Sequence, residues 1–243
     1  MGRTVCDAVA SDPELELVAA VDPHAAGGEV AGGIAIAGDK ESLLDAAVDV
    51  VVDFSVAAAA RVTVPWLGQQ GLHTVIGTTG LDADDRASIR AAFDRSNCLI
   101  AANFAIGAVL MMRFAELAAP FFPTAEVLEF HHDGKIDAPS GTALTTIERM
   151  AKASDRWDPD PTQHEVVDGA RGGKARGIPV HAIRLRGVIA SQEVLLGTTG
   201  QTLSIRHETY DRTSFMPGVL LACKGVAAIT ERYTEGIDAL LGV

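Results

Sequence analysis

The chain is 243 residues long with 48% hydrophobic content, enough to bury one large core or two modest ones. Its formal net charge of −12 excludes a nucleic-acid surface built on a basic patch and a polybasic membrane anchor, while a local pocket can still take a small anion. Three scattered cysteines, Cys6, Cys98 and Cys223, form no metal-ligand spacing and no disulfide pattern, so no metal is expected and a reducing cytoplasm is; no apolar run is long enough to span a bilayer.

Residues 3–10 are expected to form a short amphipathic helix with Val5, Cys6 and Val9 on one side, ended by Ser11-Asp12-Pro13. Residues 15–21 read as a strand that stops at Asp22-Pro23. An acidic residue at a strand end suits a nucleotide fold, where it holds a ribose hydroxyl. Taken alone, Asp22 is a turn residue before proline. Residues 27–38 are rich in glycine and alanine and read as a loop with a short strand at 33–36; residues 41–47 look helical. Residues 48–54 run nearly continuously apolar, as in a parallel strand covered on both faces. A helix over 57–70 contains Pro65 as a breaking point. A buried strand over 73–76 leads to Gly77-Thr78-Thr79-Gly80, and a helix over 82–96 opens with acidic residues that suit its positive end. The strand over 98–102 runs into Asn103-Phe104-Ala105-Ile106-Gly107.

Strands thus alternate with helices from residue 15 to 102, the pattern of a parallel sheet with helices on both faces. Ligands of such sheets sit at the carboxyl ends of the strands, where Asp22, Gly77 to Gly80 and Asn103-Phe104 all fall. Gly-Thr-Thr-Gly recurs at 197–200 between two strand-like runs and reads there as a hairpin turn. Context, rather than the tetrapeptide, assigns the first copy to a nucleotide.

The second half changes character. A helix over 109–121, a strand over 126–130 and a helix over 141–153 precede a polar loop over 155–176. Strands over 178–186, 193–197 and 202–207, joined by short turns, suggest antiparallel pairing. A long apolar helix over 215–231 is expected to return to the first domain. The fold class is therefore α/β: a Rossmann-like parallel sheet domain, plus an α+β domain with a mixed or antiparallel sheet. The expected spans are 1–105 with 215–243 for dinucleotide binding, and 106–214 for substrate binding and oligomerisation.

The densest chemistry lies at His131-His132-Asp133-Gly134-Lys135-Ile136-Asp137-Ala138-Pro139-Ser140-Gly141-Thr142-Ala143. Ser140 has the side chain of a helix N-cap, and Gly141 leaves backbone N–H groups open to an anion. Lys135 adds a positive charge, and the imidazoles of His131 and His132 can move a proton. The stretch reads as a pocket for a small carboxylate or phosphate, against the plainer reading of a solvated loop before a capped helix. A dinucleotide fold also needs a first strand and a Gly-rich turn into its first helix. The chain instead opens Met1-Gly2-Arg3-Thr4, so we expect roughly a dozen residues to precede Met1.

The block from Glu129 to Ala143, with Val75 to Gly80, Ala101 to Gly107 and Arg212-Thr213-Ser214-Phe215-x-x-Gly218, resembles the dihydrodipicolinate reductase (4-hydroxy-tetrahydrodipicolinate reductase) family, actinobacterial type, over essentially the whole chain. The resemblance implies reduction of a cyclic dicarboxylate with NADH or NADPH, a step of diaminopimelate and lysine biosynthesis, by a homotetramer built through the second domain's sheet. It implies His131 as proton donor, near its ordinary pKa of about 6.5, with Lys135 as its partner. It implies that His132, Ser140 and the backbone of Gly141-Thr142 hold substrate carboxylate. Along the cofactor it implies Gly77, Thr78, Thr79, Ala101, Ala102, Asn103 and Phe104, with Asp22 on the ribose and Arg212 as a contact from the hinge. The family's Gly-x-x-Gly-x-Met-Gly loop survives as Met1-Gly2, followed by Arg3. Asp22 opposes a 2′-phosphate and Arg3 offsets it, so both cofactors stay open. Two other readings fit the same fold: a related NAD(P)-dependent imine or amino-acid dehydrogenase, and a non-catalytic nucleotide-binding paralogue. Against the latter stands the intact His131, Lys135 and Ser140 set, since a binding module needs no proton donor.

Overall fold

In the computed structural model, which describes residues 1–242, the chain divides into two units, Met1–Phe104 with Phe215–Gly242 and Ala105–Ser214. Residue 243, the last of the expected dinucleotide-binding span, lies outside the described residues.

The first unit begins with α1 (Gly2–Ser11), which buries Val5 and Val9. Of the expected strand over 15–21, only β1 (Ala20–Val21) forms. A strand needs a ladder partner, and among the described residues β1 pairs only with the short β3 (Ile34–Ala37), in parallel, while β2 (Glu29–Val30) adds to β3 antiparallel. The expected helix over 41–47 is a 3-10 turn, Lys40–Leu44, capped by Asp39. It ends before Ala47, whose φ of 51° leaves the helical region.

The continuous apolar runs become β4 (Val50–Asp53), β5 (His73–Ile76) and β6 (Cys98–Ile100), paired in parallel. They are joined by α2 (Ala57–Gln70) and α3 (Ala83–Ala92). Pro65 does not break α2, whose buried Ala60 and Val64 hold it in the core with Ile76, Ile89 and Ile100. Asp82 caps α3 reciprocally with Asp85, and the helix stops before 96 because Phe93 leaves the helical conformation and is buried.

The second unit opens with α4 (Ile106–Ala118), a 3-10 turn and β7 (Thr124–His131). There follow α5 (Gly141–Ala153), β8 (Gly173–Ala175), β9 (Ile178–Arg184), β10 (Ala190–Thr198) and β11 (Gln201–Thr209). The strand order is β11-β10-β7-β9-β8. β10–β11 is the expected antiparallel hairpin, turning at Thr199-Gly200. β7 and β9 are parallel, so the sheet is mixed, one of the two expected forms: α5 and the long loop after it carry the chain back to the same end before β9 starts. Val127, Val180, Val194 and Leu196 face a core shared with Ala115 of α4 and Ile147 and Met150 of α5. The opposite face carries Leu128, Phe130, Glu193 and Leu195, only half-buried.

The chain then returns to the first unit as α6 (Met216–Gly225), β12 (Tyr233–Glu235) and α7 (Asp238–Leu241). The expected helix over 215–231 is thus cut short. Buried Asn97 donates to the carbonyls of Val226, at 2.9 Å, and Ile229, at 2.7 Å, drawing the backbone out of the helical path. β12 then pairs in parallel with β6. Gly218 is required in α6 because a Cβ there would lie 2.0 Å from the carbonyl oxygen of Phe104.

Candidate active site

Alternation along β7 puts Glu129 and His131 on the same face as Val127. Glu129 has no exposed surface, yet it is fully satisfied. One oxygen accepts from the Ser140 N–H at 3.1 Å and from Arg184 Nη2 at 2.9 Å. The other is 2.6 Å from His131 Nδ1 and accepts from Arg184 Nη1 at 2.8 Å. The parallel pairing of β7 with β9 sets His131 opposite Arg184. Burial works to raise the Glu129 pKa, but the hydrogen bonds from Arg184 and His131 overcome it and hold the carboxyl below the usual range.

An ionised carboxylate only accepts, so Nδ1 of His131 carries its proton, leaving Nε2 to exchange one with a ligand. His131 does not keep its ordinary pKa. Burial pushes it down; the Glu129 carboxylate opposes this, and the charges of Lys135 and Arg184 add to the fall.

Beyond His131 the chain turns, with the Lys135 N–H donating to the His132 carbonyl at 3.1 Å. His132 is exposed. The Lys135 ammonium sits 2.7 Å from the Asp137 carboxylate and holds that carboxyl below its ordinary pKa. Arg184 also donates to the Asp137 carbonyl at 2.7 Å, which pins the loop. Ser140 caps α5 as expected, its hydroxyl accepting from the Ala143 N–H at 3.2 Å. A Cβ at Gly141 would meet nothing within 4 Å, so the start of the helix faces open space. The second unit therefore brings together His131, Lys135, Ser140, Gly141 and Thr142 at one end of β7 and α5. Sequence reasoning missed Glu129 and Arg184. An acidic residue at an inward strand position was the available signal for the first.

In the first unit, Asp22 is exposed at the end of β1, one oxygen accepting from the His24 N–H at 2.9 Å. Gly77 follows β5, and a Cβ there would lie 2.1 Å from the Phe54 ring, so only glycine fits. The Thr78 hydroxyl donates to buried Asp53 at 2.5 Å and is spent on the fold, while Thr79 is exposed. Ala101, Ala102, Asn103 and Phe104 follow β6. Met1 stands at the N-cap position of α1 without a side-chain cap, Gly2 begins the helix, and Arg3 donates to the Glu29 carbonyl at 3.2 Å. Strand ends, a helix start and an exposed carboxylate for ribose hydroxyls fit a dinucleotide. Arg212 is exposed in the 3-10 turn Arg212–Phe215, which begins in the second unit.

Two family models match, "Dihydrodipicolinate reductase, N-terminus" over residues 1–104 and "Dihydrodipicolinate reductase, C-terminus" over residues 107–240. The chain is 43% identical to a 4-hydroxy-tetrahydrodipicolinate reductase of Corynebacterium urealyticum, covering 100% of this chain and 95% of that protein. It is 46% identical to that of Nocardia farcinica, covering 99% and 94%. A solved dipicolinate-bound dihydrodipicolinate reductase from Paenisporosarcina sp. TG-14 superposes with a TM-score of 0.84 at 34% identity, over 98% of this chain and 94% of that one. An amine dehydrogenase from Mycobacterium smegmatis, at 12% identity and a TM-score of 0.62, shares the fold.

Proposed function

The chain belongs to the dihydrodipicolinate reductase family, and from that premise we propose how its residues divide the work. It reduces 4-hydroxy-tetrahydrodipicolinate in diaminopimelate and lysine biosynthesis, using NADH or NADPH. Bound at the first unit, the reduced nicotinamide supplies a hydride. The residues of that unit that hold it are Asp22 at the ribose, and Met1, Gly2, Arg3, Gly77, Thr78, Thr79, Ala101, Ala102, Asn103 and Phe104 along its length; Thr78 acts through its backbone, since its hydroxyl is engaged with Asp53.

The reaction takes up one hydride and one proton and releases the 4-hydroxyl as water. His131 supplies the proton from Nε2. The observation that carries this reading is the 2.6 Å bond from His131 Nδ1 to buried Glu129, beside a capped helix start and a lysine. Lys135, His132, Ser140 and the Gly141-Thr142 backbone hold the substrate carboxylates, each charge-assisted hydrogen bond contributing about 1.5–3 kcal/mol. In this structure Asp137 occupies the Lys135 ammonium, so a substrate carboxylate takes the place of the Asp137 side chain. The dipicolinate of the Paenisporosarcina structure is a cyclic dicarboxylate of the same kind.

Lys135→Ala tests the anchoring. It raises the substrate KM about ten-fold or more and lowers kcat, with cofactor affinity retained; an unchanged KM removes Lys135 from carboxylate binding. We also place the enzyme in the cytoplasm as a homotetramer. The free cysteines support the compartment, and the half-buried apolar sheet face at Leu128, Phe130 and Leu195 supports assembly through the second unit. Light scattering reads four copies; a monomeric mass contradicts the assembly.

A further inference from the structure

Glu129 stands where the alternation of β7 asks for an apolar residue, between Val127 and His131 on the inward face. A charge with no exposed surface is expensive unless every lone pair is met. Four donors meet it: the two Arg184 nitrogens, the Ser140 N–H and His131 Nδ1. Three of the four belong to other parts of the site. Ser140 begins the helix that faces the anion, and Arg184 also holds the loop through the Asp137 carbonyl. A carboxylate on one imidazole nitrogen fixes the tautomer and favours the protonated ring. The charged groups facing His131 are Glu129 from its own strand, Arg184 from β9 and Lys135 from the loop, so Glu129 is the one anion among them.

We propose that Glu129 is a positioning residue that acts through His131, fixing Nδ1 as the bonded nitrogen, presenting Nε2 for proton transfer and joining the imidazole to the Ser140 start of α5. The inference rests on the assignment of His131 as proton donor.

The test is a double-mutant cycle of Glu129→Gln and His131→Gln, read as kcat, as the pH dependence of kcat/KM and as NADH affinity. Glu129→Gln alone lowers kcat about 10²-fold and leaves NADH affinity unchanged. It moves the high-pH fall of kcat/KM about one unit lower, because the ring loses the Glu129 carboxylate. In the His131→Gln background it costs no further activity, since its effect passes through the missing ring. An equal loss in both backgrounds, or an unmoved pH limb, overturns the proposal. The imidazole nitrogen-15 spectrum of the unsubstituted protein keeps it falsifiable if Glu129→Gln misfolds. Protonation at Nδ1 in the neutral ring supports the proposal, and protonation at Nε2 overturns it. Near-normal turnover of His131→Gln instead removes the donor assignment, a result distinct from either outcome for Glu129.

Discussion

The pKa of His131 is set by opposing neighbours, and the sign of the balance decides how the enzyme responds to pH. Burial lowers it from 6.5, Glu129 pulls it back up, and Lys135 and Arg184 push it down again. A proton donor must be protonated to work. kcat/KM is therefore full below the lowered value and falls as pH rises through it, with the limb below 6.5. A pH profile of kcat/KM checks this, and a limb above that value contradicts it. Glu129 behaves oppositely. Its folded pKa lies below 4.5, so the stability it contributes is present above 4.5 and is lost as pH falls through the lower folded value.

At the scale of elements, the sequence was most legible where local patterns were strong. The apolar run of 73–76 and the Ser140-capped helix over 141–153 match β5 and α5 at both ends. It was least legible where a distant residue decides the outcome. Nothing in 215–231 shows that Asn97 will capture the carbonyls of Val226 and Ile229, and β12 is a short strand defined only by the edge of β6. The same holds in the site. His131, Lys135 and Ser140 are neighbours in sequence and were readable, whereas Arg184 lies 55 residues from Glu129 and reaches it only because β7 and β9 run parallel. Ser140 joins the two levels, since it caps α5 and its N–H bonds Glu129. Ser140→Ala removes the cap and lowers stability by about 1 kcal/mol in chemical denaturation, and raises the substrate KM a few-fold. A cost near zero on both counts shows the cap to be dispensable.

For the molecule as a whole, a net charge of −12 and an anionic substrate are reconciled locally. The second unit sets Lys135 and Arg184, each paired with a carboxylate, near the positive start of α5, while the first exposes Asp22 at the end of β1. The central claim is that His131 gives the proton. It is tested most directly by the turnover of His131→Ala on enzymatically generated 4-hydroxy-tetrahydrodipicolinate, with NADH affinity measured alongside. The expected result is a fall in kcat of about 10²–10⁴-fold at unchanged NADH affinity; turnover near that of the unsubstituted enzyme would contradict it.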